Sequence, residues 1–136
     1  MMKFDTKIAV VLLENLETWK KLNVTAFLMS GIGGTQDIIG EPYEDGSDRV
    51  YLPMSKQPIL IFSADESQIK DVFFKAMKRE IPMTIYTREL FETYNDIDNR
   101  AAVKKVQTDG LDIVGFALMG KKNQVDRALK GLKLHP

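Results

Sequence analysis

Cysteine is absent from this 136-residue chain. Disulfides, thiolate metal sites and cysteine nucleophiles are therefore excluded. Histidine is almost as scarce. The one copy, His135, stands one residue from the end of the sequence, where fraying works against a firmly held general base. A Ser-His-Asp triad and a multi-histidine metal site are accordingly not expected. Long apolar runs are missing too: nothing approaches the roughly 18 consecutive apolar residues of a membrane-spanning helix, and MMKFDTKIAVVLLENLE has no small-residue cleavage pattern. The expected location is the cytoplasm. Charge of one sign is also lacking, since nineteen basic residues face nineteen acidic ones, which predicts weak or no affinity for nucleic acid.

What is present is a chain with 44% apolar and 28% charged residues, the composition of one globular domain over residues 1–136. KIAVVLL (Lys7 to Leu13) is a β-branched apolar run suited to a strand covered on both faces. A helix capped by Asn15 or Thr18 is predicted next, with Leu16, Trp19, Leu22, Ala26 and Met29 on its core face. Between 35 and 57 the short extended pieces DIIGEPY and DRVYLP flank a turn-prone Glu44-Asp45-Gly46-Ser47, predicting a small hairpin excursion.

PILIFSA (Pro58 to Ala64) reads as a second buried strand. Ser63 and Glu66 then form a predicted capping box, followed by the helical stripe Ile69, Val72, Phe73, Ala76, Met77. MTIYT (Met83 to Thr87) is the third strand. Ala101, Ala102, Val103 and Val106 mark a helix in the polar stretch after it, and DIVGFALMG (Asp112 to Gly120) is the fourth strand. A helix over Lys122 to Lys130 ends at Gly131 in the left-handed conformation. This alternation gives an α/β domain with a mainly parallel or mixed sheet of four main strands and helices on both faces.

Gly31, Gly33 and Gly34 follow a predicted helix and do not precede one. Phosphate-binding glycines belong at the turn into a helix, whose free N–H groups meet the anion. The cluster therefore predicts a helix stop with Gly31 just past the end, and no nucleotide cofactor. No metal site is predicted either, although carboxylates alone could hold a hard cation such as Mg²⁺. In open α/β sheets ligands settle beyond the carboxyl ends of the strands. That places Glu14, Asn15, Glu17, Lys20 and Lys21 after strand one, and Tyr86, Thr87, Arg88 and Glu89 after strand three, among the candidates. Lys20 and Lys21 read more readily as solvating the outer face of the first helix. A second set, Lys121, Lys122, Arg127, Lys130 and Lys133 with only Asp126 opposing, is either a solvated helix face or a phosphate or RNA contact.

The helix WKKLNVTAFLMSGIG, the strand and helix PILIFSADESQI and the ending GFALMGKKNQVDRALKGLKL resemble a family of small proteins known as a domain of unknown function, over Lys7 to Leu134. That family is similar in fold to type II peptidyl-tRNA hydrolases. The hydrolases carry a Lys-x-Ala-Ala-Gln helix start, an Asp-Ala-Gly-x-Thr-Gln segment and a Thr-Gly-x-Leu-Lys-Leu ending. Lys21 matches the first lysine, and Lys130 to Leu134 match the ending apart from its threonine; Asn23 and Thr25 fall within Asn23-Val24-Thr25, which replaces Ala-Ala-Gln, and Thr87 to Leu90 replaces the aspartate segment. Position after the strands and the resemblance together give a candidate pocket of Glu14, Lys21, Asn23, Thr25, Thr87, Arg88 and Glu89. Two functions follow: a non-catalytic or divergent domain that binds a small molecule, RNA end or protein partner near Lys21 and Thr87, or an ester or amide hydrolase. The partner is otherwise unknown, with no membrane expected and a homodimer left open.

Overall fold

The computed structural model describes residues 3–136. Its frame is a mixed five-stranded sheet in the order β5-β6-β1-β4-β7, where β1 is Thr6–Leu13, β4 Ile59–Ala64, β5 Met83–Thr87, β6 Ile113–Lys121 and β7 Lys133–Leu134. β1 and β4 run parallel, while β6 lies antiparallel to both β1 and β5, and β7 antiparallel to β4. The predicted four main strands are all present. The fifth, β7, has only two residues, too few to carry an alternation signal.

Helices cover both faces. The helices are α1 (Thr18–Thr35), α2 (Glu66–Lys78), α3 (Asp96–Lys104) and α4 (Lys122–Ala128). Successive side chains of a strand point to opposite faces, so β6 shows which helix lies where. The position of Gly115 meets Val24 of α1, whereas Phe116 stacks edge-on against Phe73 of α2 at 5.7 Å and Gly120 faces Val125 of α4. Thus α1 occupies one face, and α2 with α4 the other. β1 is the centre of the resulting core: Ile8 to Leu13 are all buried, as their unbroken apolar run requires. β4 differs from its predicted full burial, because Leu60 and Phe62 are only half-buried. It lies next to the short edge strand β7, while α1 packs over β6, β5 and β1.

α2 starts at Asp65, whose carboxylate accepts from the Gln68 N–H while the Gln68 side chain accepts from the Asp65 N–H. This is a capping box two residues later than the predicted Ser63 one, and the predicted stripe of Ile69, Val72, Phe73 and Ala76 is buried. α3 begins earlier than expected, at an Asn95 cap that accepts from the Asp98 N–H. Gly131 has φ +95°, the left-handed conformation predicted for the end of α4.

Two expectations about α1 are corrected. The helix does not stop at Gly31 but continues through all three glycines to Thr35. Gly31 instead permits a close approach, since a Cβ there would lie 2.5 Å from the Thr84 methyl of β5. The face is also different: Val24, Leu28 and Ile32 are buried, whereas Trp19, Leu22 and Phe27 are 57%, 69% and 53% exposed. An i, i+4, i+8 stripe of β-branched and leucine side chains against the sheet displaces the expected Trp19 and Leu22.

The excursion between α1 and β4 contains the predicted hairpin, β2 (Tyr43–Glu44) paired with β3 (Val50–Tyr51). Asp45 organises its turn, accepting from the Arg49 N–H (3.1 Å), the Ser47 N–H (2.8 Å) and the Tyr51 hydroxyl (2.9 Å). These bonds, that from Arg49 foremost, hold its carboxyl below the usual carboxylate range. Buried Ile38 and Gln57 anchor the base, the Gln57 side-chain amide donating to the Thr6 carbonyl at 3.1 Å.

Candidate functional site

Several concavities flank α1, two of them well separated from each other. The first lies beyond the carboxyl ends of the parallel pair β1 and β4, and has a volume of about 680 Å³. Glu14 and Asn15 enter it from the end of β1, Lys21 from the first turns of α1, Ser63 from β4, Gln68 from α2, and Lys133 and His135 from the last residues of the chain. Backbone pairing places these parts: the Glu14 N–H donates to the Ala64 carbonyl at 2.8 Å, and the His135 N–H to the Ile61 carbonyl at 2.9 Å. Lys21 Nζ stands 3.0 Å from His135 Nε2. An ammonium can only donate, so this contact makes Nε2 the acceptor and leaves Nδ1 to donate to the Pro136 carbonyl at 2.9 Å. The two rings of contact fix both the tautomer and the ring orientation.

The second concavity, about 490 Å³, lies between α1, β5 and α3 and is floored by Leu28, Tyr86, Leu90 and Val103. Phe27 and Tyr86 line it with ring centroids 6.0 Å apart, and the aromatic wall runs on past it, Tyr86 to Phe91 at 5.0 Å and Phe91 to Trp19 at 6.2 Å, into an adjoining groove. Burial pushes the Tyr86 phenol up. At the outer end of this wall Lys20 Nζ sits 4.8 Å from the Phe91 ring centre, a cation-π contact. Glu17 accepts from the Trp19 indole N–H (3.0 Å) and pairs with Lys20 (3.2 Å), and these contacts hold its carboxyl below the usual range.

The family model described as a protein of unknown function (DUF2000) matches residues 6–136. The chain belongs to the DUF2000 family. A solved structure of a protein of unknown function from Agrobacterium tumefaciens strain C58 is 44% identical to it, the match covering 98% of this chain and 100% of that one with a TM-score of 0.94. No curated protein matches the chain.

In this DUF2000 chain the predicted pocket residues are distributed over several places. Glu14 and Lys21 share the polar crevice, while Asn23 lines a groove that continues the aromatic wall. Thr25 lines neither, and its hydroxyl donates to the Lys21 carbonyl at 2.8 Å, bracing the helix turn below the lysine. Thr87 is buried, its hydroxyl without a hydrogen-bond partner among the described residues. Arg88 is paired outside the crevice with Asp112 (2.9 Å) and Glu66 (3.5 Å), and Glu89 is exposed. Lys21 and Thr87 are therefore not two walls of one crevice.

Of the basic set, Lys133 lines the polar crevice; Lys121 ends β6, Lys122 opens α4, Arg127 lies on α4 and Lys130 follows it. Asp126, the anion among them, is paired with Lys7. Sequence reasoning missed His135 as a site residue. No local signal marks it, because the two-residue KL segment ahead of it, whose pairing with β4 brings the imidazole to the crevice, is too short to read as a strand. Among the described residues no group of three or more Asp, Glu or His is arranged to hold a metal ion, and no helix is long and apolar enough to cross a membrane.

Proposed function

We propose that this protein is a non-catalytic cytosolic domain that binds a small molecule bearing an anionic group in the crevice at Lys21. One observation carries the reading: Lys21, Lys133 and His135, against the single acidic side chain Glu14, converge with the neutral hydrogen-bonding groups Asn15, Ser63 and Gln68 beyond adjacent parallel strand ends. A ligand of this kind uses the lysines as charge-assisted donors and the neutral side chains for orientation. Lys21 contacts the His135 imidazole, and Glu14, the carboxylate that lines the same crevice, forms no ion pair with it among the described residues, so the lysine–carboxylate pair that would mark acid–base work is replaced by a pair of donors and acceptors suited to holding a ligand.

The finer fold reading, an arrangement like that of type II peptidyl-tRNA hydrolases, is supported by the same place in the molecule. The two segments that resemble the hydrolases, Lys21 and the Gly131 to Leu134 ending, meet in this crevice from opposite ends of the sequence. It also supports a second function, ester or amide hydrolysis, in which an imidazole freed from Lys21 activates water. Against it stands the segment Thr87 to Leu90, which brings neither a carboxylate nor a free hydroxyl into the crevice.

The test is a thermal-shift and calorimetric screen of phosphorylated and carboxylated metabolites, run beside a peptidyl-tRNA hydrolysis assay. The expected result is saturable binding that Lys21→Ala weakens at least about tenfold, equivalent to about 1.4 kcal/mol, with negligible turnover. Hydrolysis at about 1 s⁻¹ or faster that collapses in Lys21→Ala would replace the binding reading with the enzymatic one.

A further inference from the structure

We infer a second ligand site, independent of the crevice at Lys21, in the cavity between α1, β5 and α3, and assign it to a planar aromatic carboxylate. The two concavities share no lining residue. The volume of about 490 Å³ lies within the roughly 300–1,000 Å³ of small-molecule sites. Its floor is apolar in effect as well as in composition, because its polar groups are bonded within the protein: Thr84 Oγ1 donates to the Leu28 carbonyl at 3.0 Å, and the Tyr86 hydroxyl donates to the Leu90 carbonyl at 3.4 Å. A flat hydrocarbon body is the complement to such a floor, edged by the tilted Phe27 and Tyr86 rings.

The mouth supplies the charge preference. Three ionic side chains of α3 stand there, Asp96, Arg100 and Lys104. Arg100 Nε is 2.8 Å from Asp96 Oδ2, so these two compensate each other. Lys104 pairs with no carboxylate among the described residues. An anionic group at the mouth meets this lysine while the ring lies inside. The wall that carries the charges is also the least anchored one: α3 has no fully buried residue, which lets it settle around an occupant without disturbing the sheet.

Calorimetry with naphthalene-2-carboxylate and its neutral counterpart naphthalene-2-methanol tests the assignment on the intact protein. Saturable binding of the carboxylate is expected, with a Kd below about 1 mM. Ser30, exposed at the rim, provides a blocking variant with little risk to folding: Ser30→Trp is expected to abolish binding of both compounds. Lys104→Glu is expected to weaken the carboxylate about fivefold to tenfold and leave the alcohol unchanged. Lys21→Ala, in the other crevice, is expected to change neither, so failure here is distinguishable from failure of the proposed function. No saturation, indifference to Ser30→Trp, or equal loss of both compounds in Lys104→Glu would overturn the inference. So would a dimer, detected by sedimentation, that buries the exposed face of α1 and excludes the probe.

Discussion

α1 and α2 flank opposite faces of one sheet, yet they relate to it in different ways. α2 is amphipathic: Ile69, Val72, Phe73 and Ala76 are buried, and charged residues such as Lys70, Asp71 and Lys75 take the outer side. α1 is apolar on two sides. Val24, Leu28 and Ile32 meet the strands, while Trp19 and Phe27 face away and wall a groove. A helix whose only task is packing shows one stripe. One that also builds a concavity shows two, and the second is left partly open to solvent.

The sharpest test of this contrast is Phe73→Ala on α2. Phe73 stacks on Phe116 at the centre of the core, so a loss of about 3–5 kcal/mol is expected from denaturant midpoints. A loss under about 1 kcal/mol would mean that α2 is not the purely structural partner described. On α1, Gly31→Ala places a methyl group against Thr84. Overpacking of about 1–3 kcal/mol is offset by a helix-propensity gain of about 1 kcal/mol, giving a net loss of up to about 2 kcal/mol. Adding Thr84→Ser, which removes the opposing methyl but keeps the hydroxyl, is expected to restore most of it. Three residues on, Gly34 has nothing within 4 Å of its Cβ position. Gly34→Ala is therefore expected to stabilise by about 0.4–1 kcal/mol, an opposite sign within one helical turn. Equal effects at the two glycines would remove the argument that α1 closes on β5 specifically at Gly31.

The same contrast explains what the sequence disclosed. β5 appears as MTIYT with its predicted limits, and α2 with its predicted stripe, because each has one periodic face and polar or proline punctuation beside it. In α1 apolar residues on two sides blur the period, and glycines that serve a close helix–strand approach look locally the same as glycines that end a helix. The start of α3 was present as Asn95 with Asp98 three residues on, a cap outweighed by the more conspicuous alanines after it. That Lys21 and Glu14 lie at the crevice beyond β1 was legible from their position after a strand. The partner of Lys21 was not, since His135 reaches it only through the pairing of two-residue β7 with β4. No local pattern encodes a contact between residues so far apart.

The position of β1 has a consequence for how the molecule comes into being. Its hydrogen bonds run to β6, with Ile8 opposite Met119 and Val11 opposite Phe116, so the innermost strand of the sheet finds a partner more than a hundred residues along the chain. Non-local pairing of this kind slows folding, because loop-closure entropy must be overcome before the contact forms. During synthesis β1, α1 and β4 leave the ribosome well before β6, and β1, apolar from Ile8 to Leu13, then has one of its two edges unpaired. The nascent chain is accordingly expected to remain sensitive to proteases and to engage chaperones until β6 has emerged, and then to gain its protection in one late step.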